Sequence, residues 1–292
     1  MKCTALPVFL IIAFPRIANN CSSIQVGLKE WRRPAPELTE VKSPGGFLRF
    51  RLTVENRQLF MSVSEYNSPV VEKSSILFSI NGSSLTEGIK KVKESKFSIN
   101  ETFPFYGLHS EASNNCNGVR VDILHTGSGV KYTLEIRVFD DAAAFRFIVP
   151  GDENEIRYPD EATVFRVPAG SRAWYHDLYM HYEGVHVKKL VDTVPSGQWA
   201  APPLTYALPG NAGYASITEA NLVNYPGMAL QSDGNNGFIV RLGHNHPPSY
   251  PYVLRYSKED VERLSKPAGI KGTITTPWRV IITGKELNTI VN

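Results

Sequence analysis

Three stretches of this sequence hold residue types able to do chemistry. His244-Asn245-His246 places two imidazoles two positions apart. On a strand such residues share a face and can grip one ion. Pro247-Pro248 follows at once, and no cysteine or carboxylate cluster lies close, so the spacing alone makes a weak zinc signal. Tyr175-His176-Asp177, with His181-Tyr182-Glu183-Gly184-Val185-His186 after it, is aromatic and ionisable. Sugars offer hydroxyls and an apolar ring face, so residues such as Trp174, Tyr175 and His176 suit carbohydrate contacts. A loop packed by its own aromatics is the plainer alternative. The third stretch, residues 217–228, begins as a strand, breaks into polar groups and turns at Pro226-Gly227. One carboxylate, Glu219, with the amides of Asn221 and Asn224, suits a hard cation such as calcium, which takes oxygen ligands. One carboxylate does not make a strong site, and further ligands would have to come from elsewhere. From these residues alone, an ordinary polar strand end is the simpler reading.

Other chemistries lack their signatures. There is no Gly-x-Ser-x-Gly elbow, phosphate loop or dinucleotide fingerprint. Asp140-Asp141 is a carboxylate pair, but adjacent residues on a strand point to opposite faces, so it reads as a turn. The net charge is +3 over 292 residues, with Lys and Arg scattered, which argues against a nucleic-acid binder.

The elements that must position these residues read as strands. The chain is 42% hydrophobic and 20% charged, enough for a sizeable core, and its 22 Gly and 20 Pro provide for many turns. Residues 119–124 and 132–139 alternate apolar and polar cleanly, with Gly127-Ser128-Gly129 as a turn between them. Further short runs lie at 47–54, 59–63, 76–80, 144–149, 163–167, 204–208, 214–218, 238–242, 252–256 and 278–283, and residues 233–237 form a loop. Only residues 257–264 look helical, with Ser257 as N-cap. The expectation is an all-β fold, a large two-sheet antiparallel β-sandwich.

The N-terminus reads as an export signal. Lys2, an apolar stretch at 6–14, and Ala18-Asn19-Asn20 make residues 1–20 a signal peptide, too short to span a bilayer. No later segment is long and apolar enough to span one. Residues 21–40 are expected to be an exposed entry segment and 41–292 the sandwich domain. Localisation is then periplasmic or extracellular, where Cys21 and Cys116 could pair or stay free.

The motifs together resemble a known family. Residues 138–147, Asp160-Glu161-Ala162-Thr163-Val164-Phe165, Ala173-Trp174-Tyr175 and residues 199–206 match it in order and spacing. Residues 217–228 fit best, and Thr276-Pro277-Trp278-Arg279-Val280-Ile281 resembles the family's exit from this domain. The sequence from about Val41 to Asn292 is similar to the N-terminal domain of glycoside hydrolase family 97, bacterial α-glycosidases. The resemblance implies a galactose-mutarotase-like β-sandwich that packs on a following (β/α)8 barrel holding the catalytic acid and the base or nucleophile. It also implies a calcium ion shared with the barrel, taking one Glu from the sandwich. By motif position that ligand is Glu219, with Glu183 as second choice. Trp174, Tyr175, His176, Asn221 and Tyr225 become candidates for the substrate rim, facing an α-glucoside or α-galactoside. The barrel's residues are not in this chain, so the expectation is a domain inactive alone. Two other functions compete: a self-sufficient carbohydrate-binding module presenting Trp174, Tyr175 and Trp199, and a mutarotase-like epimerase using a His and a Glu.

Overall fold

A computed structural model describes residues 37–107, 109–178, 184–245 and 258–291. The chain from residue 37 onward forms two large antiparallel sheets and one small one. In spatial order the first sheet runs Glu37–Lys42, Leu48–Glu55, Gln58–Glu65, Ser68–Ser75, Val164–Arg166, Gly237–Leu242, Met228–Ser232 and Trp199–Ala200. The second runs Val187–Leu190, Arg172–Tyr175, Leu204–Ala207, Tyr214–Ala220, Trp278–Gly284, Ala142–Val149, Lys131–Val138, Glu111–His125 and Ile89–Pro104. Ile274–Thr275 adds to it beside Ala142–Val149. Pro159–Glu161, Phe78–Ile80 and Ser83–Ser84 make the small sheet.

The sheets face each other because their strands alternate. Leu48, Phe50 and Leu52 are fully buried on one inner face, and Phe145, Phe147 and Val149 on the other. Phe50 meets Phe145 at 5.9 Å, and Phe78 stacks on Phe147 at 4.5 Å. Each such ring contributes about 1.5–3 kcal/mol by leaving water. The Tyr206 hydroxyl crosses the core and donates to the Val70 carbonyl at 2.9 Å, so its polar tip is satisfied.

This is the all-β sandwich expected, and Asp140-Asp141 falls between two strands as anticipated. The helix lies at Lys258–Leu264. The strand expected at 252–256 lies outside the described residues, as do the signal peptide, Cys21 and Glu183. Two differences stand out. Glu37–Lys42 is a strand, not part of an exposed entry segment: Thr39 and Val41 are buried, while Glu37 and Lys42 face solvent. Ile89–Pro104 is a 16-residue strand where no strand was expected. Both are edge strands, and charged side chains on an edge deter pairing with other chains. Cys116 is a buried free thiol, its pKa pushed up by burial.

Candidate functional site

The central strand of the larger sheet, Trp278–Gly284, carries an arginine on its inner face. Alternation sets Arg279 on the same side as Ile281 and Thr283, all three buried. A buried guanidinium needs carboxylates, and two are supplied. Glu219 arrives by sheet pairing, directly opposite Arg279 on the neighbouring Tyr214–Ala220 strand. Glu161 arrives from the small sheet, at the end of Pro159–Glu161. Arg279 Nε donates to Glu161 Oε2 at 2.9 Å and Nη2 donates to Glu161 Oε1 at 2.7 Å, a two-pronged pair. Nη1 donates to Glu219 Oε2 at 2.6 Å. The Tyr225 hydroxyl donates to Glu161 Oε1 at 2.8 Å.

Burial alone would lower the pKa of Arg279, but the Glu161 carboxylate outweighs it and raises the value, so the guanidinium stays charged. Burial, then the charge of Glu161, pushes the Tyr225 phenol well above its ordinary range. Tyr225 is therefore a neutral donor. Two carboxylates face one guanidinium, an excess of one negative charge. Glu161 is sealed, whereas the Glu219 side chain is 15% exposed.

The chain then leaves the larger sheet. Residues 221–227 cross to Met228–Ser232 in the other sheet, turning at Asn221 and Asn224, whose φ values of 58° and 50° lie in the left-handed region that Asn tolerates. The Met228 amide donates back to both oxygens of Glu219, at 3.1 and 3.2 Å.

The sequence candidates scatter around this end of the sheet. Tyr225 joins the ion network, and Asn221 is exposed on the crossing turn. Tyr175 is buried, and its hydroxyl has no hydrogen-bond partner among the described residues. It lines a cavity of about 420 Å³ together with His176, Asp177, Val185, Val187 and Gln198. The His176 ring packs edge-on against His186 at 4.7 Å. Trp174 lies on the opposite, outer face, under Lys188 Nζ at 4.7 Å. It is therefore not on the same surface as Tyr175. His244 Nε2 stands 3.4 Å from Asp160 Oδ1, and Asn245 donates to that same oxygen at 2.8 Å. His246 lies outside the described residues. Among the described residues, no group of three or more His, Cys, Asp or Glu is arranged to hold a metal ion.

Glu161 and Arg279 stood inside the quoted motifs without a role. The signal was present in the strand alternation: an arginine on the apolar face of residues 278–283 demands a buried acid. On the outer face, the Trp278 ring meets the guanidiniums of Arg137 and Arg146, at 4.7 and 4.3 Å. Both arginines bond the fully buried Glu135, at 3.0 and 2.9 Å.

At Glu219, the expected calcium ligand, both carboxylate oxygens already have donors. One oxygen accepts from a guanidinium and both accept from a backbone amide. A calcium ion wants six to eight oxygens, and the described part of this chain gathers no such set around Glu219.

Comparison with known proteins places this architecture. A family model described as glycosyl-hydrolase 97 N-terminal matches residues 41–292. The chain is 24% identical over 275 residues to a retaining alpha-galactosidase of Bacteroides thetaiotaomicron, covering 84% of this chain and 39% of that protein. It is 23% identical over 238 residues to a probable retaining alpha-galactosidase of Streptomyces bingchenggensis, covering 81% and 33%. A solved glycoside hydrolase family 97 enzyme from Pseudoalteromonas sp. strain K8, in complex with acarbose, superposes with a TM-score of 0.73 at 23% identity, over 87% of this chain and 37% of that one. A β-arabinopyranosidase superposes at 0.67 with 19% identity, over 87% and 41%. At these identities the structures speak to the fold. The chain spans well under half the length of the curated relatives it matches.

Proposed function

Since the chain belongs to the glycosyl-hydrolase 97 N-terminal family, we propose that it is the N-terminal sandwich of an exported α-glycosidase acting on α-galactosides, seated on a catalytic barrel that this chain does not include. The observation that carries the reading is the match over residues 41–292 to a domain family, alongside curated relatives of which the chain covers 39% and 33%. The substrate class follows the printed names of those relatives, both retaining alpha-galactosidases. Export rests on the signal-peptide pattern of residues 1–20.

The chemistry within the chain agrees with a supporting role. Glycoside hydrolysis needs one carboxyl group able to give a proton and a second free to attack or to activate water. Glu161 and Glu219 are the pair that converges on one point, and Arg279 holds both. Glu161 accepts from three donors in a sealed setting and has no path to a sugar. The domain's contribution is instead a rigid platform, with the cavity beside Tyr175 and His176 and the turn at Asn221 as the surfaces offered to the active-site rim.

The test is an assay of the purified chain on an aryl α-galactoside. No release of the phenol is expected. Turnover that disappears in Glu161→Gln would show a catalytic carboxylate in the sandwich and sink the reading.

A further inference from the structure

We propose that residues 97–103, in the outermost strand of the larger sheet, are a self-pairing edge. A second copy of this chain docks on it, strand against strand and antiparallel, about a twofold axis at Asn100. A sheet edge leaves backbone N–H and C=O groups unpaired, and proteins protect such edges by keeping them short or charged. Among the described residues, three of the four outer strands of the large sheets are protected. Trp199–Ala200 has two residues, Val187–Leu190 carries Lys188 and Lys189, and Glu37–Lys42 carries Glu37, Glu40 and Lys42. Ile89–Pro104 is 16 residues long and divided in character. Lys90, Lys91, Lys93, Glu94 and Lys96 guard its first half. Residues 97–103 hold one charge, Glu101.

The same stretch runs past its support. Glu111–His125 last pairs with Lys131–Val138 at Asn117 opposite Val138, yet the hairpin continues to Pro104 opposite Glu111. Residues 99–104 and 111–116 therefore form a two-stranded arm. Two strands alone are marginally stable in water, and pairing two arms makes four. Near the tip, Phe103, Phe105 and Tyr106 are exposed.

Symmetry sets the register. A twofold axis perpendicular to the sheet gives a self-complementary contact and continues the outer face of one copy into that of the other. With Asn100 on the axis, Phe97 lies opposite Phe103 of the second copy, twice over, and aromatic cross-strand pairs are favourable. Phe105 and Tyr106 then fall beside Ser95 and Glu94 of the second copy. The hairpin turns back after Tyr106, so Lys90, Lys91 and Lys93 oppose no strand. At about 30–40 Å² per interface residue, residues 94–106 of two copies bury about 800–1,000 Å², the size of a reversible contact rather than an obligate one. Each copy uses up its one unguarded edge, so assembly closes at two.

The test uses the full 292-residue chain with Cys3→Ser and Cys21→Ser, and no catalytic domain, so its failure leaves the family assignment untouched. Sedimentation velocity is run over a series from about 1 µM to about 300 µM. A species of twice the 32.5 kDa chain is expected to accumulate along it. Ile99→Lys and Phe103→Lys extend the guard along the edge. Each should weaken the dimer about tenfold, because the change appears twice across the axis. Circular dichroism identifies a variant that has misfolded. Asn100→Cys, under mild oxidation, should cross-link to itself far faster than Glu155→Cys, which is exposed on a loop. A monomer throughout the series overturns the proposal. So does a dimer that survives both lysine variants, or cross-linking of Asn100→Cys no faster than that of Glu155→Cys.

Discussion

At the scale of single residues, the ion network around Arg279 is the most sensitive point in the molecule. Arg279→Met strands the Glu161 carboxylate in a sealed site, and breaking a buried pair in this way costs about 3–5 kcal/mol. Urea unfolding should show that loss as a large drop in midpoint. Tyr225→Phe removes one donor to a charged acceptor and should cost about 1.5–3 kcal/mol, read by the same measurement. The phenol also carries a pH signature. Its folded pKa is raised above the usual value of 10.0 by burial and then by Glu161. Its contribution is thus complete below that value and is lost as pH rises beyond it, because the unfolded chain releases the proton first. Tyr132 and Tyr206 are raised by burial and add to the same slope. The tyrosinate absorbance of these buried phenols should therefore appear together with the loss of circular dichroism, whereas in Tyr225→Phe the alkaline limb should be shallower.

At the scale of elements, the sequence revealed many of the strands with an apolar face, though not Ser68–Ser75, Arg172–Tyr175 or Met228–Ser232. Residues 47–54, 132–139 and 278–283 were legible because the core imposes alternation on them. Ile89–Pro104 was not, since Lys90, Lys91, Lys93, Glu94 and Lys96 break the alternation over its first half. The candidate site was legible in part. Glu219 and Tyr225 were visible as a polar strand end, but their partner Glu161 sits in a three-residue strand, too short to show a period. Glu183 and His246, outside the described residues, stay at the level of expectation. The outer strand pair gives a test of packing. A Cβ on Gly118 would come within 2.2 Å of the Phe97 ring, which lies flat over it. Gly118→Val should expel that ring and cost about 1–3 kcal/mol, as overpacking does, visible as a lower Tm. Phe97 also lies under Arg120 and Arg137, at 5.2 and 5.9 Å, so the damage should reach the cluster around Glu135.

At the scale of the whole molecule, that cluster shapes the response to acid. Burial pulls the pKa of Glu135 upward, but the hydrogen bonds from Arg146 and Arg137 outweigh it and hold the carboxyl below its usual 4.5. Its stabilisation is present above that value and is lost as pH falls through the lower folded one. A Tm profile recorded from neutral pH downward should drop below about pH 4.5, and Glu135→Gln should start lower and fall less. The order of assembly follows from where Trp278–Gly284 lies. It is an interior strand, yet Arg279 is synthesised 118 residues after the Glu161 it neutralises. Until Trp278–Gly284 is made, the ten-stranded sheet lacks an interior strand and Glu161 lacks the cation it is buried against. The sheet therefore cannot close before its middle strand is delivered, a delay that would suit a polypeptide threaded through a translocation pore before it folds.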